Sequence, residues 1–329
     1  MLNANPYKKV TKPMFADPII ARDYPKGSTV RTEPMRDGWP IRSFSWPAEG
    51  ETRGSILFQG GRGDFFEKYL ESFAYWHRAG WSVTAFDWRG QGGSGRVVPD
   101  THVGHFDDFS LWIDDYAEYW AAWVKQCSGP HIAIAHSMGG HLLLRAIIEQ
   151  RVVPDAAVLI APMLGIETPP LPLGIARWLF GGLGKIGLAR RPAWKANERP
   201  AAPWASRQKF LTHDDRRYQD ELWWIEQIPA LQLGPPSFGW LSAAITSTRE
   251  SEAPGKLESV DCPVLMLGTD GDKLVSPAAI RRFAARMPSA QLHMYEDSVA
   301  HEILRERDEP RSDALRRIDD FLSSAAHQR

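Results

Sequence analysis

The chain has 329 residues, with 39 basic and 40 acidic side chains and a net charge of −1, a balance that does not favour nucleic acid as a partner. No run of about 18 apolar residues is present to span a membrane. The two cysteines, Cys127 and Cys262, are too few for a disulfide framework and fit a reducing compartment. The N-terminus carries lysines but not the apolar segment of a signal peptide, so we expect a cytoplasmic protein.

The predicted elements alternate between short apolar runs and amphipathic helices. "SILFQ" (55–59) reads as a strand followed by the glycine turn "GGRG" and by a helix with Phe66, Tyr69, Leu70, Phe73 and Trp76 on one stripe. "WSVTAFD" (81–87) reads as the next strand and ends in a second glycine-rich turn. A long helix over 106–126 follows.

Four more apolar runs predict strands: "HIAIA" (131–135), "AAVLIAP", "PVLMLGTDGD" and "AQLHMYEDS". They are continuously apolar rather than alternating, which is typical of strands covered on both faces. Alternating strands and helices of this kind predict an α/β fold with a mostly parallel sheet flanked by helices.

One region interrupts this alternation. From about Met163 to about Arg249 the sequence is rich in Pro, Gly and Trp and shows no convincing strand. We therefore expect a core built from residues 1–162 and 251–329, with a helical cap inserted at 163–250. An insertion that leaves from a strand end would cover the crevice where open α/β sheets bind ligands.

Ser137 is the candidate nucleophile. "AHSMGG" follows a predicted strand and opens a predicted helix, close to the G-x-S-x-G elbow that exposes a serine on a strained turn. Ala135 replaces the first glycine, and a serine that merely sits in a strand–helix turn is the alternative. Ser94, in "GGSG", fails the pattern because Arg96 stands where the second glycine should be.

A nucleophilic serine needs a histidine base and an acid that orients the histidine. Downstream of Ser137 lie His141, His213, His293 and His301, and only His301 falls in a loop after the last strand. That position suits a base, although a surface histidine near a helix start would look the same.

The acid and the oxyanion donors come from turns that follow predicted strands. Asp270 and Asp272 both follow a buried strand, with Asp297 as a more distant candidate. The oxyanion would be held by the N–H after the nucleophile, that of Met138, and by an N–H from an early loop, that of Gly61.

The motifs "FDWRGQGGSG", "GHFDDFSLWIDDY", "AHSMGG", "LGTDGDKLV" and "AHEILRERD" occur in this order. Together they resemble the monoacylglycerol lipase and bacterial lysophospholipase branch of the α/β-hydrolases. The resemblance runs from about Asp37 to Phe321. It implies an α/β-hydrolase fold and a Ser137–Asp272–His301 triad, and its D-x-L-V pattern favours Asp272 over Asp270.

The chain departs from that branch at Gln59, where histidine is usual, and at Ala135, where glycine is usual. The resemblance implies ester hydrolysis of an acyl lipid, an acyl transfer that needs no cofactor. The apolar stretch at the start of the cap predicts transient contact with a membrane or micelle surface. Apolar cap residues suit an acyl chain and equally suit the core of the cap: Trp178, Leu179, Phe180, Trp223, Trp224, Phe238 and Trp240. The first apolar stretch of the cap is expected to be exposed and mobile.

Other functions are less well supported by the residues. Two sets of side chains were considered as metal ligands: His102, His105, Asp107 and Asp108, and His131, His136 and His141. Neither set follows a metal-binding spacing. No nucleotide-binding fingerprint is present either. The remaining alternatives are a carboxylesterase for small soluble esters, a hydrolase of C–C bonds, and a degenerate hydrolase that binds an acyl ligand without turnover. The sequence carries no signal for an oligomeric state.

Overall fold

An eight-stranded sheet forms the centre of the computed structural model, which describes residues 22–98, 103–166, 182, 187–193 and 207–327. The strands are β1 (Thr29–Pro34), β2 (Pro40–Trp46), β3 (Gly54–Gln59), β4 (Trp81–Phe86), β5 (His131–His136), β6 (Ala156–Ile160), β7 (Val264–Thr269) and β8 (Ala290–Tyr295). Their order is β1-β2-β4-β3-β5-β6-β7-β8. The pairs β1–β2 and β2–β4 are antiparallel and the others are parallel, so the predicted α/β class with a mostly parallel sheet is confirmed.

The first two strands were not predicted from the sequence. Every residue of β1 is exposed, and its sequence "TVRTEP" has no apolar face to signal a strand. In β2 the inward-facing Arg42 replaces an apolar residue, because its guanidinium pairs with the buried carboxylates of Glu67 and Asp87. β1 is an edge strand exposed along its whole length, and the buried part of β2 includes the polar residues Arg42 and Ser43, so both lack the continuous apolar runs of the central strands.

Helices cover both faces of the sheet. They are α1 (Leu70–Arg78), preceded by a 3-10 turn at Phe66–Tyr69, then α2 (Ser110–Val124) and α3 (Met138–Ile148). Two cores result, one containing Trp76 and Phe73 and the other containing Trp112 and Met138. The large tryptophan content is thus mostly core, since the side chains of Trp76, Trp88 and Trp112 are fully buried.

The described part of 163–250 contains α4 (Gln208–Leu211), α5 (Asp215–Gln227) and α6 (Phe238–Ser251) and no strand. After it, the chain completes the sheet and adds α7 (Pro277–Ala284) and α8 (Asp308–His327). Trp224 and Trp240 are buried, whereas Trp223 and Phe238 are partly buried against the two cores. The predicted mobile stretch with Trp178, Leu179 and Phe180 lies outside the described residues. Within the described chain, every helix is too short or too polar to cross a bilayer.

The segment that contains α4 and the start of α5 is attached to the loop before α8. The N–H groups of His301 and Glu302 donate to the carbonyls of Phe210 and Leu211 at 3.3 and 2.8 Å. Thr212 Oγ1 donates to the Arg305 carbonyl at 2.6 Å. This part of the insertion therefore packs as part of the core.

Arg305 strengthens the attachment from the other side. Its guanidinium is almost fully buried and pairs with Glu221 of α5 at 3.0 Å and with Glu302. The carbonyl of Arg217, also in α5, accepts a further hydrogen bond from it. The loop and the helix consequently share one buried ion cluster.

We expect Arg305→Ala to lower the free energy of unfolding by about 3–5 kcal/mol, because it leaves two buried carboxylates short of a cation. Arg281→Ala is the matched control: its guanidinium pairs with Asp270 on the exposed surface, where such a pair contributes at most about 1 kcal/mol. Urea denaturation of both variants measures the difference. Equal losses of stability would contradict the structural role given to Arg305.

Candidate active site

Ser137 lies on a strained turn between β5 and α3. Its backbone has φ 52° and ψ −118°, a left-handed value that residues with a side chain rarely adopt. The start of α3 lies so close to the loop after β3 that a Cβ at Gly139 would lie 2.4 Å from the Gly60 carbonyl oxygen. Position 139 therefore requires glycine.

Ala135 is accommodated near the end of β5 without disturbing the turn that follows the strand. Its side chain is fully buried, and its backbone pairs with Gln59 on one side and with Leu159 on the other. The second glycine of the motif is present as Gly139, and at the following Gly140 a Cβ would lie 3.0 Å from the Pro162 side chain. The departure at Ala135 thus leaves the elbow intact.

The structure brings Ser137, His301 and Asp272 together. His301 Nε2 lies 2.8 Å from Ser137 Oγ, and His301 Nδ1 lies 2.6 Å from Asp272 Oδ2. The other oxygen of Asp272 accepts hydrogen bonds from the N–H groups of Leu274 and Val275 at 2.8 and 3.0 Å. All three side chains are at most 9% exposed, so they are largely shielded from water.

Burial and charge act on these groups in opposite directions. Burial alone would lower the pKa of His301, but the neighbouring Asp272 carboxylate raises it above its ordinary value. Burial would raise the pKa of Asp272, and His301 together with the two N–H donors holds it below its ordinary value. Asp272 therefore stays ionised and can fix the histidine tautomer.

The rival residues have other partners. Asp270 is exposed and forms a bidentate pair with Arg281, and Asp297 is exposed. His141 Nε2 lies within hydrogen-bonding distance of Ser247 Oγ, and His213 Nδ1 lies within hydrogen-bonding distance of Glu306 Oε1. The ring of His293 packs edge to face against that of Tyr295 in β8. The Ser94 hydroxyl donates a hydrogen bond to the Asp87 carbonyl.

The two predicted oxyanion donors differ in their surroundings. Met138 is the first residue of α3, so its N–H is one of those that no carbonyl of the helix accepts, and the positive end of the helix dipole lies beside it. The N–H of Gly61 donates to Asp64 Oδ2 at 2.7 Å. In this structure the second donor is therefore engaged by a side chain.

A buried polar network behind Ser137 was not identified from the sequence. His136 Nδ1 lies 2.9 Å from the Tyr69 hydroxyl and 3.1 Å from Asp64 Oδ2, and its ring centroid is 4.8 Å from that of His301. Lys68 Nζ contacts Asp64 at 2.5 Å and Glu302 at 2.7 Å. The available signals were the charges in "GDFFEKY" and an acid directly after His301.

Gln59 replaces the usual histidine without contacting Ser137. Its Oε1 accepts a hydrogen bond from the Tyr116 hydroxyl at 2.6 Å, and the side chain is fully buried. The neighbouring Gly60 carbonyl accepts a hydrogen bond from Trp88 Nε1 at 2.9 Å. The loop that carries the predicted oxyanion donor Gly61 (residues 59–64, hereafter the oxyanion loop) is thus anchored at its first two residues.

The histidine sets considered as metal ligands are dispersed. His131 contacts the Cys127 carbonyl, His136 contacts Tyr69, and His141 contacts Ser247. His105 lies 2.7 Å from Ser237 Oγ and 3.1 Å from Asp107, while His102 lies outside the described residues. In the described ranges no three such side chains are grouped as a metal site would require.

Comparisons with known sequences agree on one family. The profile described as "Serine aminopeptidase, S33" matches residues 50–308. Lysophospholipase L2 of Escherichia coli (strain K12) is 30% identical over 306 residues, which cover 87% of this chain and 85% of the relative. The probable lysophospholipase L2 of Haemophilus influenzae is 26% identical over 283 residues, which cover 84% and 85%.

Comparisons with solved structures identify the fold as that of the α/β-hydrolases. A soluble variant of monoglyceride lipase from Saccharomyces cerevisiae matches with a TM-score of 0.70 and 17% identity, covering 93% of this chain and 98% of that one. The monoacylglycerol lipase of Paleococcus ferrophilus matches with a TM-score of 0.66 and 19% identity, covering 87% and 99%.

We expect Asp272→Asn to slow the reaction of Ser137 with a fluorophosphonate by about three to four orders of magnitude, because an amide donating to Nδ1 would leave Nε2 protonated and unable to accept from Oγ. Asp270→Asn, two residues away in an exposed ion pair, should react within about twofold of wild type. The pseudo-first-order labelling rate measures both. A comparable loss in the Asp270 variant would contradict the assignment of Asp272.

Proposed function

The chain belongs to the serine aminopeptidase (Hydrolase_4) family and is a hydrolase of the esterase and lipase type, and on this basis we propose that it cleaves the carboxylic ester of a lysophospholipid or a monoacylglycerol. The single observation that supports the chemistry is the Ser137–His301–Asp272 chain of hydrogen bonds on a positive-φ turn. The lysophospholipid preference is supported by relatives with that activity in their names, which align over most of this chain.

The proposed reaction has two halves with one base. His301 Nε2 takes the proton of Ser137 Oγ while the oxygen attacks the ester carbonyl, and the carbonyl electron pair moves onto its oxygen. When the intermediate collapses, the C–O bond to the alcohol breaks and His301 protonates the leaving oxygen. His301 then deprotonates a water, which attacks the acyl-enzyme, and the fatty acid leaves as Ser137 regains its proton.

In this proposal the oxyanion is held by the N–H groups of Met138 and Gly61. Each such donor typically lowers the barrier by about 3–4 kcal/mol. The N–H of Met138 already lies at the start of a helix, whereas the N–H of Gly61 must first leave Asp64.

We also propose that residues 163–250 form a cap over the site and that the substrate arrives from a membrane or micelle surface. The described cap aromatics Trp224 and Trp240 are buried in the core and carry no such role. Among the described candidates, Trp223 and Phe238 are only partly buried and remain available for contact with an acyl chain or an interface. A carboxylesterase for small soluble esters and a non-catalytic acyl binder are the alternative outcomes.

Ser137→Ala should abolish turnover, because no other serine contacts His301 Nε2 in the described chain. Wild type and variant are compared on p-nitrophenyl esters, a monoacylglycerol and lysophosphatidylcholine, with Ser94→Ala as the control serine. Highest activity on lysophosphatidylcholine supports the proposed substrate, and preference for short esters supports the carboxylesterase. If wild type neither turns over an ester nor reacts with a fluorophosphonate at Ser137, the hydrolase mechanism is wrong and the acyl binder remains.

The kcat/KM of wild type should rise with pH through a midpoint above 6.5. The base must be neutral to accept the serine proton, and the raised pKa of His301 keeps it protonated to higher pH than an ordinary histidine. In Asp272→Asn the residual activity should titrate with a lower midpoint, because the charge that raises this pKa is gone. A midpoint that does not move between the two proteins would show that another group controls the profile.

A further inference from the structure

The N–H that the proposed mechanism needs for the oxyanion already has an acceptor. Gly61 N–H donates to Asp64 Oδ2 at 2.7 Å, within a turn in which Asp64 N–H also approaches the Gly61 carbonyl at 3.4 Å. A hydrogen bond to a carboxylate is among the stronger ones in proteins. While it persists, only the N–H of Met138 remains for the oxyanion.

Gly61 nevertheless lies directly against the nucleophile. A Cβ at this glycine would be 2.8 Å from Ser137 Cβ and 3.2 Å from His136 Nδ1. The peptide that ends in the Gly61 N–H is therefore within reach of an oxygen bonded to the carbon that Ser137 attacks. A change in the direction of this one N–H would suffice to complete the hole.

Asp64 can release Gly61 without becoming an unpaired buried charge. Its side chain is 6% exposed, Lys68 Nζ lies 2.5 Å from Oδ1, and the Tyr69 hydroxyl donates to Oδ2 at 2.7 Å. Lys68 is itself held by Glu221 at 3.1 Å and Glu302 at 2.7 Å. His136 Nδ1 also lies 3.1 Å from Oδ2. These contacts keep the carboxylate partnered when the Gly61 hydrogen bond is exchanged.

Resting on the proposed function, we propose that Asp64 is a positioning residue that holds the Gly61 N–H in the substrate-free enzyme and releases it to the oxyanion as Ser137 adds to the ester carbonyl. The developing negative oxygen competes with the carboxylate for one donor. The oxyanion hole is then complete only as the tetrahedral intermediate forms. Breaking the Gly61–Asp64 hydrogen bond is therefore part of the activation barrier.

The test separates binding of a tetrahedral adduct from ordinary binding. An alkyl trifluoromethyl ketone adds to Ser137 and forms an oxyanion, whereas the matching secondary alcohol binds without adding. Asp64→Ala should bind the ketone on the order of tenfold more tightly than wild type, because its Gly61 N–H has no competing acceptor. Affinity for the alcohol should change by less than about twofold, and Asp64→Asn should fall between Asp64→Ala and wild type.

Asp87→Asn is the matched control. Asp87 is also a buried carboxylate that accepts a glycine N–H, that of Gly93 at 2.8 Å, and pairs with a cation, Arg42 at 2.8 Å. Its neutralisation tests the general effect of removing a buried charge in this fold. The ratio of ketone to alcohol affinity should stay at the wild-type value in this variant.

A ketone-to-alcohol ratio that is unchanged or lower in both Asp64 variants would overturn the role of Asp64. If Asp64→Ala does not fold, the Asn variant alone decides by the same ratio. If wild type forms the ketone adduct but the ketone-to-alcohol ratio does not change in the Asp64 variants, only this inference is wrong. Wild type and Asp64 variants that all fail to form the adduct refute the proposed function and the inference together.

Discussion

Lys68 joins the parts of the site that come from distant stretches of the chain. Its ammonium is almost fully buried and lies within 3.1 Å of carboxylates from three elements: Asp64 of the oxyanion loop, Glu221 of α5 and Glu302 beside His301. Burial alone would lower the pKa of Lys68, but these carboxylates raise it above its ordinary value, so the cation persists. Because an unpaired buried charge is costly, none of the three elements can move away freely.

The same cluster explains how a carboxylate can lie beside the proposed oxyanion site. Burial would raise the pKa of Asp64, and the adjacent Lys68 ammonium and His136 hold it well below its ordinary value. An ionised Asp64 next to Ser137 would by itself disfavour an oxyanion. The Lys68 charge offsets that repulsion, and Arg305 in turn offsets the second carboxylate, Glu302.

The sequence predicted the central strands and the Ser137 turn because both have local signatures. Continuous apolar runs mark doubly covered strands, and a serine between small residues marks the elbow. The polar strand β1 and the arginine-bearing β2 lack such a signature. Position after a strand did not separate Asp272 from Asp270, and only the family resemblance favoured Asp272. The fold separates them, since Asp272 contacts His301 and Asp270 pairs with Arg281 at the surface.

The ion cluster could not be predicted for a different reason. Asp64, Lys68, Glu221 and Glu302 are separated by up to 238 positions, and charged residues scattered along a chain normally indicate a solvated surface. Only the fold shows that they share one buried volume. The sequence therefore named the candidate triad residues that the fold brings together, whereas the groups that hold them in place emerged from the structure.

The attachment of α4 and α5 to the His301 loop affects which segments can be exchanged between related proteins to build chimeras. The carbonyls of Phe210 and Leu211 hold the backbone of residues 301 and 302, and Glu221 contributes to the cluster around Lys68. If the segment between positions 163 and 250 were exchanged between relatives, these contacts would be exchanged with it. If residues 207–227 were instead left with the core, the contacts that support the His301 loop would stay unchanged. The stretch 207–227 is thus structurally coupled to the loop that carries His301.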